Sequence, residues 1–198
     1  MAKYKNRYNV VVILMIVFAF FAFNEKVNAD TGSGSSSDPY IINSTSDIQP
    51  ALDKGKNISS SDTLYIKLNS DISYSASDSF KIYSNLSIDG SKNSSTNYAM
   101  KYTGTSYISG SAGYTLTKSG LSVSFNNMTF GDSSFSSNQT YYGILLGTSY
   151  QVNFYANNIT YYGNNGAQPF CNYNVNTVVT LQGNNTFTSK AGNSSQEF

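Results

Sequence analysis

Apolar and polar residues alternate in short runs from residue 62 onward. The runs lie at 64–68, 86–88, 121–125, 152–155 and 178–181, and Gly, Asn, Ser or Asp flanks each of them. This pattern is typical of β-strands with one buried side. Residues 39–42 predict a further short strand ahead of these runs. Many short strands with almost no helix indicate a sandwich, a barrel or a solenoid.

Residues 46–55 predict the one helix, which we expect to cap the start of the domain. Ser46 is a plausible N-cap, and Gln49 follows three residues later, as in a capping box. Pro50 falls in the first turn, where it is tolerated, and Gly55 supplies a C-cap. The apolar face of this helix consists of Ile48, Ala51 and Leu52.

Pairs of asparagine recur in the second half of the chain and set the spacing of the predicted strands. The pairs are Asn126-Asn127, Asn157-Asn158 and Asn184-Asn185, at intervals of 31 and 27 residues. An apolar residue, Thr and an aromatic residue follow the first two pairs and would start the next strand. Asn tolerates the left-handed conformation of a corner, and stacked Asn side chains can form a hydrogen-bonded ladder. The repeat favours a parallel β-helix with about five coils.

The first thirty residues have the layout of a secretory signal peptide. Basic residues at positions 3, 5 and 7 precede fourteen apolar residues at 10–23, and residues 27–29 read Val-Asn-Ala. The alternative is a retained membrane anchor, but fourteen residues span only about 21 Å as a helix, short of the roughly 30 Å hydrocarbon core. We therefore expect residues 1–29 to be removed and the protein to be secreted, with no membrane contact after cleavage.

Residues 30–38 read DTGSGSSSD and predict a disordered Gly/Ser linker ahead of a domain at 39–198.

Composition excludes several classes of function. Only 12% of the chain is charged, its net charge is +1, and it has no His. The single Arg, Arg7, lies in the predicted signal peptide. Chemistry that needs an imidazole base, a His-ligated metal or a bidentate phosphate clamp is excluded, and a nucleic-acid partner is not expected.

Several motifs together resemble a known family. They read SDIQPALDKG, DTLYIKLNSDIS, NLSIDGS, GLSVSFNNMTFGD and VTLQGNNTF, in that order. The order is similar to that of the pectate-lyase-like adhesive domain of surface proteins from lactobacilli and related Gram-positive bacteria, over residues 40–190. The resemblance implies a right-handed parallel β-helix with a short N-terminal capping helix. By association it also implies adhesion at the cell surface. The secreted protein would then be associated with the cell wall.

The chain departs from that family at its end. Residues 192–198 carry no sorting motif and no apolar tail. The sequence is consistent either with a short secreted form or with a domain truncated at its C-terminus. An uncapped β-helix end would expose unpaired strand edges, so end-to-end self-association is expected.

Tyrosines are the candidate ligand-binding residues. Residues 133–189 carry no charged side chain but many Tyr, Asn and Thr. The candidates are Tyr141, Tyr142, Tyr150, Tyr155, Tyr161 and Tyr162. Paired tyrosines on a strand point to opposite sides, so each pair should place one ring outside. Exposed rings can stack on glycans or bury against host or neighbour-cell proteins, whereas the alternative is that these rings fill the interior.

A polysaccharide lyase or hydrolase is the first competing function, because β-helices host such enzymes. It would need an acidic cluster among Asp71, Asp78, Asp89 and Asp132, with Lys81 or Lys101 nearby. Asp71 and Asp89 are better interpreted as turn caps. A structural fragment with no activity is the second competitor. The sequence therefore favours a non-catalytic adhesion module with no cofactor and no metal.

Overall fold

The computed structural model describes residues 31–75, 77–103, 113–136, 142–145, 149–163, 168–170, 172, 174 and 176–190. These residues form one helix, α1 (Thr45–Lys54), and fifteen strands. The strands are β1 (Tyr40–Ile42), β2 (Thr63–Leu68), β3 (Ile72–Tyr74), β4 (Ser79–Ile82), β5 (Asn85–Asp89), β6 (Ala99–Tyr102), β7 (Gly113–Leu116), β8 (Leu121–Asn126), β9 (Thr129–Phe130), β10 (Tyr142–Leu145), β11 (Val152–Asn157), β12 (Thr160–Gly163), β13 (Gln168–Phe170), β14 (Val178–Gln182) and β15 (Thr186–Ser189). Within this part of the chain, no helix is long and apolar enough to cross a membrane. The predicted signal peptide lies outside it.

The strands form three sheets, and the pairings within these sheets are parallel. The six-stranded sheet has the order β1-β2-β5-β8-β11-β14, the five-stranded sheet β3-β6-β9-β12-β15 and the four-stranded sheet β4-β7-β10-β13. From β2 onward, successive strands go to the six-, five- and four-stranded sheets in turn. We call each such set of strands a pass. The prediction of a mainly β chain with parallel strands and one short helix is confirmed.

The alternation in the sequence explains which side chains the sheets bury. In β2, β8 and β11 every second residue is buried, because successive side chains point to opposite sides of a strand. The parallel register then stacks buried residues from neighbouring passes. Ile66 pairs with Ile88, Ile88 pairs with Phe125, and Phe125 pairs with Ala156. All four are at most 2% exposed, so neighbouring passes share one core.

Aromatic contacts join the buried sides of the three sheets around Phe125. The Phe125 ring centroid lies 4.9 Å from that of Tyr114 in the four-stranded sheet and 5.8 Å from that of Phe130 in the five-stranded sheet. It also lies 5.3 Å from the ring of Phe154 in the next pass. Tilted and edge-on contacts of this kind are the favoured geometries for aromatic pairs. All three sheets therefore contribute to one common core.

Helix α1 packs against the first strands, and its start differs from the prediction. The predicted apolar face is buried; it consists of Ile48, Ala51 and Leu52. Ser44, rather than Ser46, is the N-cap, and Asp47 is its partner in the capping box. The Asp47 carboxylate accepts hydrogen bonds from the N–H groups of Ser44 at 2.9 Å and Asn43 at 3.0 Å. A carboxylate here also suits the positive end of the helix dipole.

Gln49, the predicted capping partner, instead joins α1 to the edge of the four-stranded sheet. Its Oε1 accepts a hydrogen bond from the N–H of Lys81 in β4 at 2.7 Å. Its Nε2 donates to Asp53 Oδ1 at 2.7 Å. Burial opposes ionisation of Asp53, but hydrogen bonds from Gln49 and Lys56 outweigh it, and the pKa of the Asp53 carboxyl is lowered. The helix therefore covers β4, the edge strand of the four-stranded sheet, whose edge would otherwise be exposed.

The prediction that residues 30–38 form a disordered linker is wrong for residues 31–38. Ser35 and Asp38 form an antiparallel bridge, and the N–H groups of Ser33 and Gly34 donate to the Asp38 carbonyl at 3.0 and 2.9 Å. The Gly34 carbonyl accepts a hydrogen bond from the N–H of Tyr65 in β2 at 2.9 Å. The composition suggested flexibility, but the Asp38 carboxylate also accepts from the Ser33 N–H at 2.8 Å and closes a turn.

The buried side of the six-stranded sheet becomes exposed at β14. Val179 pairs with Phe154, and Leu181 pairs with Ala156. Both partners are fully buried, yet Val179 is 42% and Leu181 53% exposed. Within the described residues, β14 pairs with β11 alone. A cavity of about 350 Å³ adjoins these side chains, and it is lined by Pro169, Phe170, Val179, Leu181 and Phe187.

An asparagine ladder forms the corner between the six- and five-stranded sheets. Asn127 and Asn158 have φ angles of 51° and 55°, in the left-handed region that this corner requires. Asn158 Nδ2 donates to Asn127 Oδ1 at 3.0 Å, and Asn127 Nδ2 donates to Asp89 Oδ1 at 2.9 Å. Beside them, Asn157 Nδ2 donates to Asn126 Oδ1 at 3.3 Å. The predicted ladder is confirmed for these two pairs.

Glycine takes the corner position in the last pass. Asn157 pairs with Gln182, so Gly183, with a φ angle of 65°, follows Gln182 as Asn158 follows Asn157. A Cβ atom on Gly183 would lie 2.2 Å from Asn158 Oδ1. That oxygen accepts a hydrogen bond from the Asn184 N–H at 2.9 Å. A larger residue at position 183 would therefore collide with the ladder.

The prediction that Asn184-Asn185 stacks directly on the second pair is consequently wrong. The pair comes after the corner, because Gly183 already supplies the left-handed residue. Asn185 still contributes to the corner from its shifted position. Its Oδ1 accepts a hydrogen bond from the Ile159 N–H at 2.9 Å, and its Nδ2 donates to the Gln182 carbonyl at 2.8 Å.

Phe125→Ala tests the common core. We expect it to lower the free energy of unfolding by about 3–5 kcal/mol, because it removes a fully buried ring. Leu181→Ala, in the same sheet but half-exposed, should lower it by less than about 1 kcal/mol. Urea unfolding followed by circular dichroism measures both, with Phe125→Leu as the variant to use if Phe125→Ala does not fold. Equal losses for Phe125→Leu and Leu181→Ala would contradict the assigned core.

Asn158→Gly and Asn158→Ala test the left-handed corner. Both lose the ladder hydrogen bonds, but only glycine adopts positive φ without a steric cost. We expect the alanine variant to be the less stable of the two by about 1 kcal/mol in urea unfolding. The matched control is Asn153, in β11, where alanine should be the more stable replacement. If alanine were the more stable replacement at position 158 as well, residue 158 would not need the left-handed conformation.

Candidate functional site

The outer side of the six-stranded sheet carries a regular column of polar and aromatic side chains. We call it the tyrosine column, and it consists of Tyr65, Ser87, Ser124, Tyr155 and Thr180. Strand register places these residues side by side in consecutive passes. All five are half-buried and alternate with residues of the opposite side. Since neighbouring strands lie about 4.8 Å apart, the column presents a side chain at each such step.

Amide side chains flank the tyrosine column and are held flat against the sheet. Asn126 Nδ2 donates to Ser87 Oγ at 3.1 Å, and Ser124 Oγ donates to Asn126 Oδ1 at 3.0 Å. On the other side of the column, Asn85 Oδ1 accepts a hydrogen bond from the Ser122 N–H at 2.9 Å. These bonds restrict the rotamers of the polar groups before any ligand arrives, which lowers the entropy cost of binding.

Charge is nearly absent from this surface. Two further columns lie beside the tyrosine column. One consists of Thr63, Asn85, Ser122, Asn153 and Val178. The other consists of Lys67, Asp89, Asn126, Asn157 and Gln182. The only ionisable side chains in these two columns are Lys67 and Asp89, which lie in the first two passes. Apart from Val178, the later passes present hydroxyl and amide groups in these two columns, which suit uncharged polar ligands.

The described part of the chain places the predicted binding tyrosines Tyr155 and Tyr162 in different sheets. Tyr155 lies in the tyrosine column, whereas Tyr162 lies on the outer side of the five-stranded sheet, 5.9 Å from the ring of Phe135. Tyr150, 41% exposed, lies just before β11. Tyr142 begins β10, of which only the backbone is described, and Tyr141 lies outside the described residues.

Tyr161 is buried and cannot contact a ligand, so its prediction as a binding residue is wrong. It is 1% exposed, while its neighbour Tyr162 is half-buried, as the alternation of paired tyrosines requires. Burial raises the pKa of the Tyr161 hydroxyl, which has no hydrogen-bond partner among the described residues. The pKa of Tyr114 is raised for the same reason. Interior tyrosines are therefore part of the core.

The four aspartates that a catalytic site would need lie at different strand ends and accept hydrogen bonds from backbone N–H groups or serine hydroxyls. Asp89 Oδ2 accepts a hydrogen bond from Ser91 Oγ at 2.6 Å, as predicted for a turn. Asp71 Oδ1 accepts one from the Ala99 N–H of the next pass at 2.9 Å, so it is not a local turn cap. Asp78 closes the turn before β4, and Asp132 the turn after β9. The described residues contain no group of three or more acidic, Cys or His side chains placed to hold a metal ion.

Sequence reasoning missed most of the tyrosine column. Tyr65, Ser87 and Ser124 occupy the outward positions of the predicted strands, which alternation alone indicates. What it does not indicate is which residues of distant strands become neighbours. No protein-family model matches the chain, and no curated protein or solved structure shows significant similarity to it.

Tyr161→Phe tests the assignment of Tyr161 to the core. The variant removes a buried hydroxyl without a partner, so we expect the free energy of unfolding to stay equal or to rise by up to about 1 kcal/mol. Urea unfolding measures the effect. The control is Tyr114→Phe, which loses the contact of its hydroxyl with Met100 Sδ at 3.2 Å and should gain nothing. A clear loss of stability in Tyr161→Phe would mean that the hydroxyl does have a partner.

Proposed function

We propose that this protein is a secreted, non-catalytic module that binds neutral glycans through the tyrosine column and its flanking amides. The observation that carries the proposal is the register. It brings Tyr65, Ser87, Ser124, Tyr155 and Thr180 from five passes into one line. A linear ligand lying across the strands would therefore meet equivalent groups at regular steps.

The chemistry of these groups matches that of uncharged sugars. A tyrosine ring offers an apolar face for the C–H groups of a sugar ring and a hydroxyl at its edge. Serine, threonine and asparagine supply both donors and acceptors for sugar hydroxyls. The hydrogen bonds of Asn126 to Ser87 and Ser124 hold these groups in place. A protein partner is the alternative ligand, but the cores of protein interfaces are usually richer in apolar surface than this column.

A binding role fits the distribution of charge better than catalysis does. Residues 133–189 carry no Asp, Glu, Lys or Arg, so two passes offer no carboxylate or amine to act as general acid or base. The carboxylates of Asp78 and Asp89 already accept hydrogen bonds within their own turns. Glycoside hydrolysis needs two carboxyl groups on either side of the scissile bond, and the described aspartates lie at separate strand ends.

The architecture that we propose is a right-handed parallel β-helix of the pectate-lyase-like kind. The repeated order in which strands enter the three parallel sheets supports it. Right-handedness follows the rule for crossovers between parallel strands of one sheet, which are right-handed in about 98% of cases. The motifs shared with adhesive domains of Gram-positive surface proteins support the same architecture and an adhesive role.

Secretion is part of the proposal, because a glycan-binding surface acts on ligands outside the cell. Its support is the basic, apolar and small-residue layout of positions 1–29. We place the protein in the medium or at the cell wall, in contact with glycans of the host or of neighbouring cells.

Binding to immobilised glycans tests this function. We expect the protein to bind at least one class of neutral polysaccharide on a glycan and mucin array. Tyr155→Ala should weaken that binding about tenfold, or about 1.4 kcal/mol, because it removes one ring from the column. The matched control is Tyr162→Ala, which removes a tyrosine from the outer side of another sheet and should leave binding unchanged.

Two results would contradict the proposal. One is silence of the folded protein on every glycan. The other is equal loss of binding in Tyr155→Ala and Tyr162→Ala, which would place the ligand elsewhere. Binding to a mucin protein that survives removal of its glycans would favour the protein alternative.

A further inference from the structure

An open groove lies at the N-terminal end of the six-stranded sheet. It has a volume of about 710 Å³, within the range of about 300–1,000 Å³ typical of small-molecule sites. The described residues that line it include Tyr40, Lys54, Asn57, Ile58, Asp62 and Tyr65. None of these residues was predicted from the sequence to bind a ligand.

The turn at residues 33–36 forms one wall of the groove and is rigidly attached to the sheet. The Gly34 carbonyl accepts a hydrogen bond from the Tyr65 N–H at 2.9 Å, and Ser33 Oγ lies 3.1 Å from Ser35 Oγ. Gly34 has a φ angle of +76°, and a Cβ atom there would lie 2.5 Å from the ring of Tyr40. Only glycine fits this position, so the turn is built to lie close to the Tyr40 ring.

The end of α1 and the loop that follows it form the opposite wall. The Asn57 N–H donates to the Lys54 carbonyl at 3.1 Å, and the Asp62 N–H donates to the Ser59 carbonyl at 3.0 Å. Lys54 Nζ lies 5.8 Å from the centroid of the Tyr40 ring. Ser61 Oγ donates to Asp62 Oδ1 at 3.3 Å. Asn57, Ser61 and Asp62 are all exposed.

We infer that this groove is a second glycan site, one that holds the terminal sugar or a side branch of a neutral glycan. Ile58 and the two tyrosines offer apolar surface to the ring of a sugar. The Asp62 carboxylate accepts two hydrogen bonds from neighbouring hydroxyls of one ring, and such charge-assisted bonds are the stronger kind. Asn57 and the serines add both donors and acceptors.

The mixture of groups in the groove discriminates against other ligands. A phosphate site would be expected to present several cations or a run of backbone N–H groups, whereas Lys54 is the one cation among the described residues that line this groove. A Ca²⁺ site needs six or more oxygen ligands and several carboxylates, whereas the described part of the lining contains one carboxylate, that of Asp62. A sugar needs both donors and acceptors around an apolar patch, which this lining supplies.

Tyr65 belongs to both sites, because it lines the groove and begins the tyrosine column. The inference therefore deepens the proposed function: a glycan chain lying along the column would place its end or a branch in the groove. The two sites differ in what they recognise. The column needs a chain that spans several passes, while the groove takes one or two sugar rings.

Titration with short sugars tests the groove without relying on the column. The folded protein, labelled with ¹⁵N, is titrated separately with maltose, cellobiose, lactose and diacetylchitobiose, and its amide signals are followed by NMR. We expect at least one disaccharide to shift the signals of Asp62 and Tyr65. Asp62→Asn and Asn57→Ala, both at exposed positions, should each weaken that binding by about tenfold.

Tyr155→Ala separates the two proposals. It should leave disaccharide binding unchanged while it weakens binding of long polysaccharides. Disaccharide binding without any polysaccharide binding would overturn the column and leave the groove standing. Absence of shifts with all four disaccharides, or binding that neither Asp62→Asn nor Asn57→Ala weakens, would overturn the groove as a sugar site.

Discussion

Parallel pairing in register is the constraint on which the rest of this structure depends. When strands from successive passes pair without a shift, each residue lies beside its counterpart one pass earlier, and both point to the same side. Ile66, Ile88, Phe125 and Ala156 thus form one buried line. A bulky Phe beside a small Ala keeps the volume of this line compatible with close packing. The same register builds the tyrosine column on the outer side.

The corner between sheets is what allows the register to be kept. Asn127 and Asn158 take the left-handed conformation. Asn158 donates a hydrogen bond to Asn127, and Asn127 donates one to Asp89, so that three consecutive passes are tied together. A low local dielectric strengthens such a chain of hydrogen bonds. Gly183 replaces Asn in the last pass without breaking the ladder, because its missing side chain leaves room for the Asn158 amide.

The sequence predicted one sheet well and another not at all. Every strand of the six-stranded sheet coincides with a predicted run, because its alternation is regular and its flanks are turn residues. The starts of β9 and β12 followed from the Thr and aromatic residues after the first two asparagine pairs. The four-stranded sheet was missed, because strands such as β7 (Gly113–Leu116) are too short to show a period. The site was missed for another reason: Tyr65 and Tyr155 are ninety residues apart in sequence, and only the register brings them into one column.

A distance measurement between two ends of that column tests the account most directly. Spin labels would replace Tyr65 and Thr180 in a protein whose single cysteine, Cys171, is changed to serine. Four steps of about 4.8 Å separate these positions, so pulsed electron resonance should give one narrow distance distribution whose backbone component is roughly 19 Å. A broad distribution, or one displaced by more than about two strand spacings, would contradict the in-register stacking on which the tyrosine column rests.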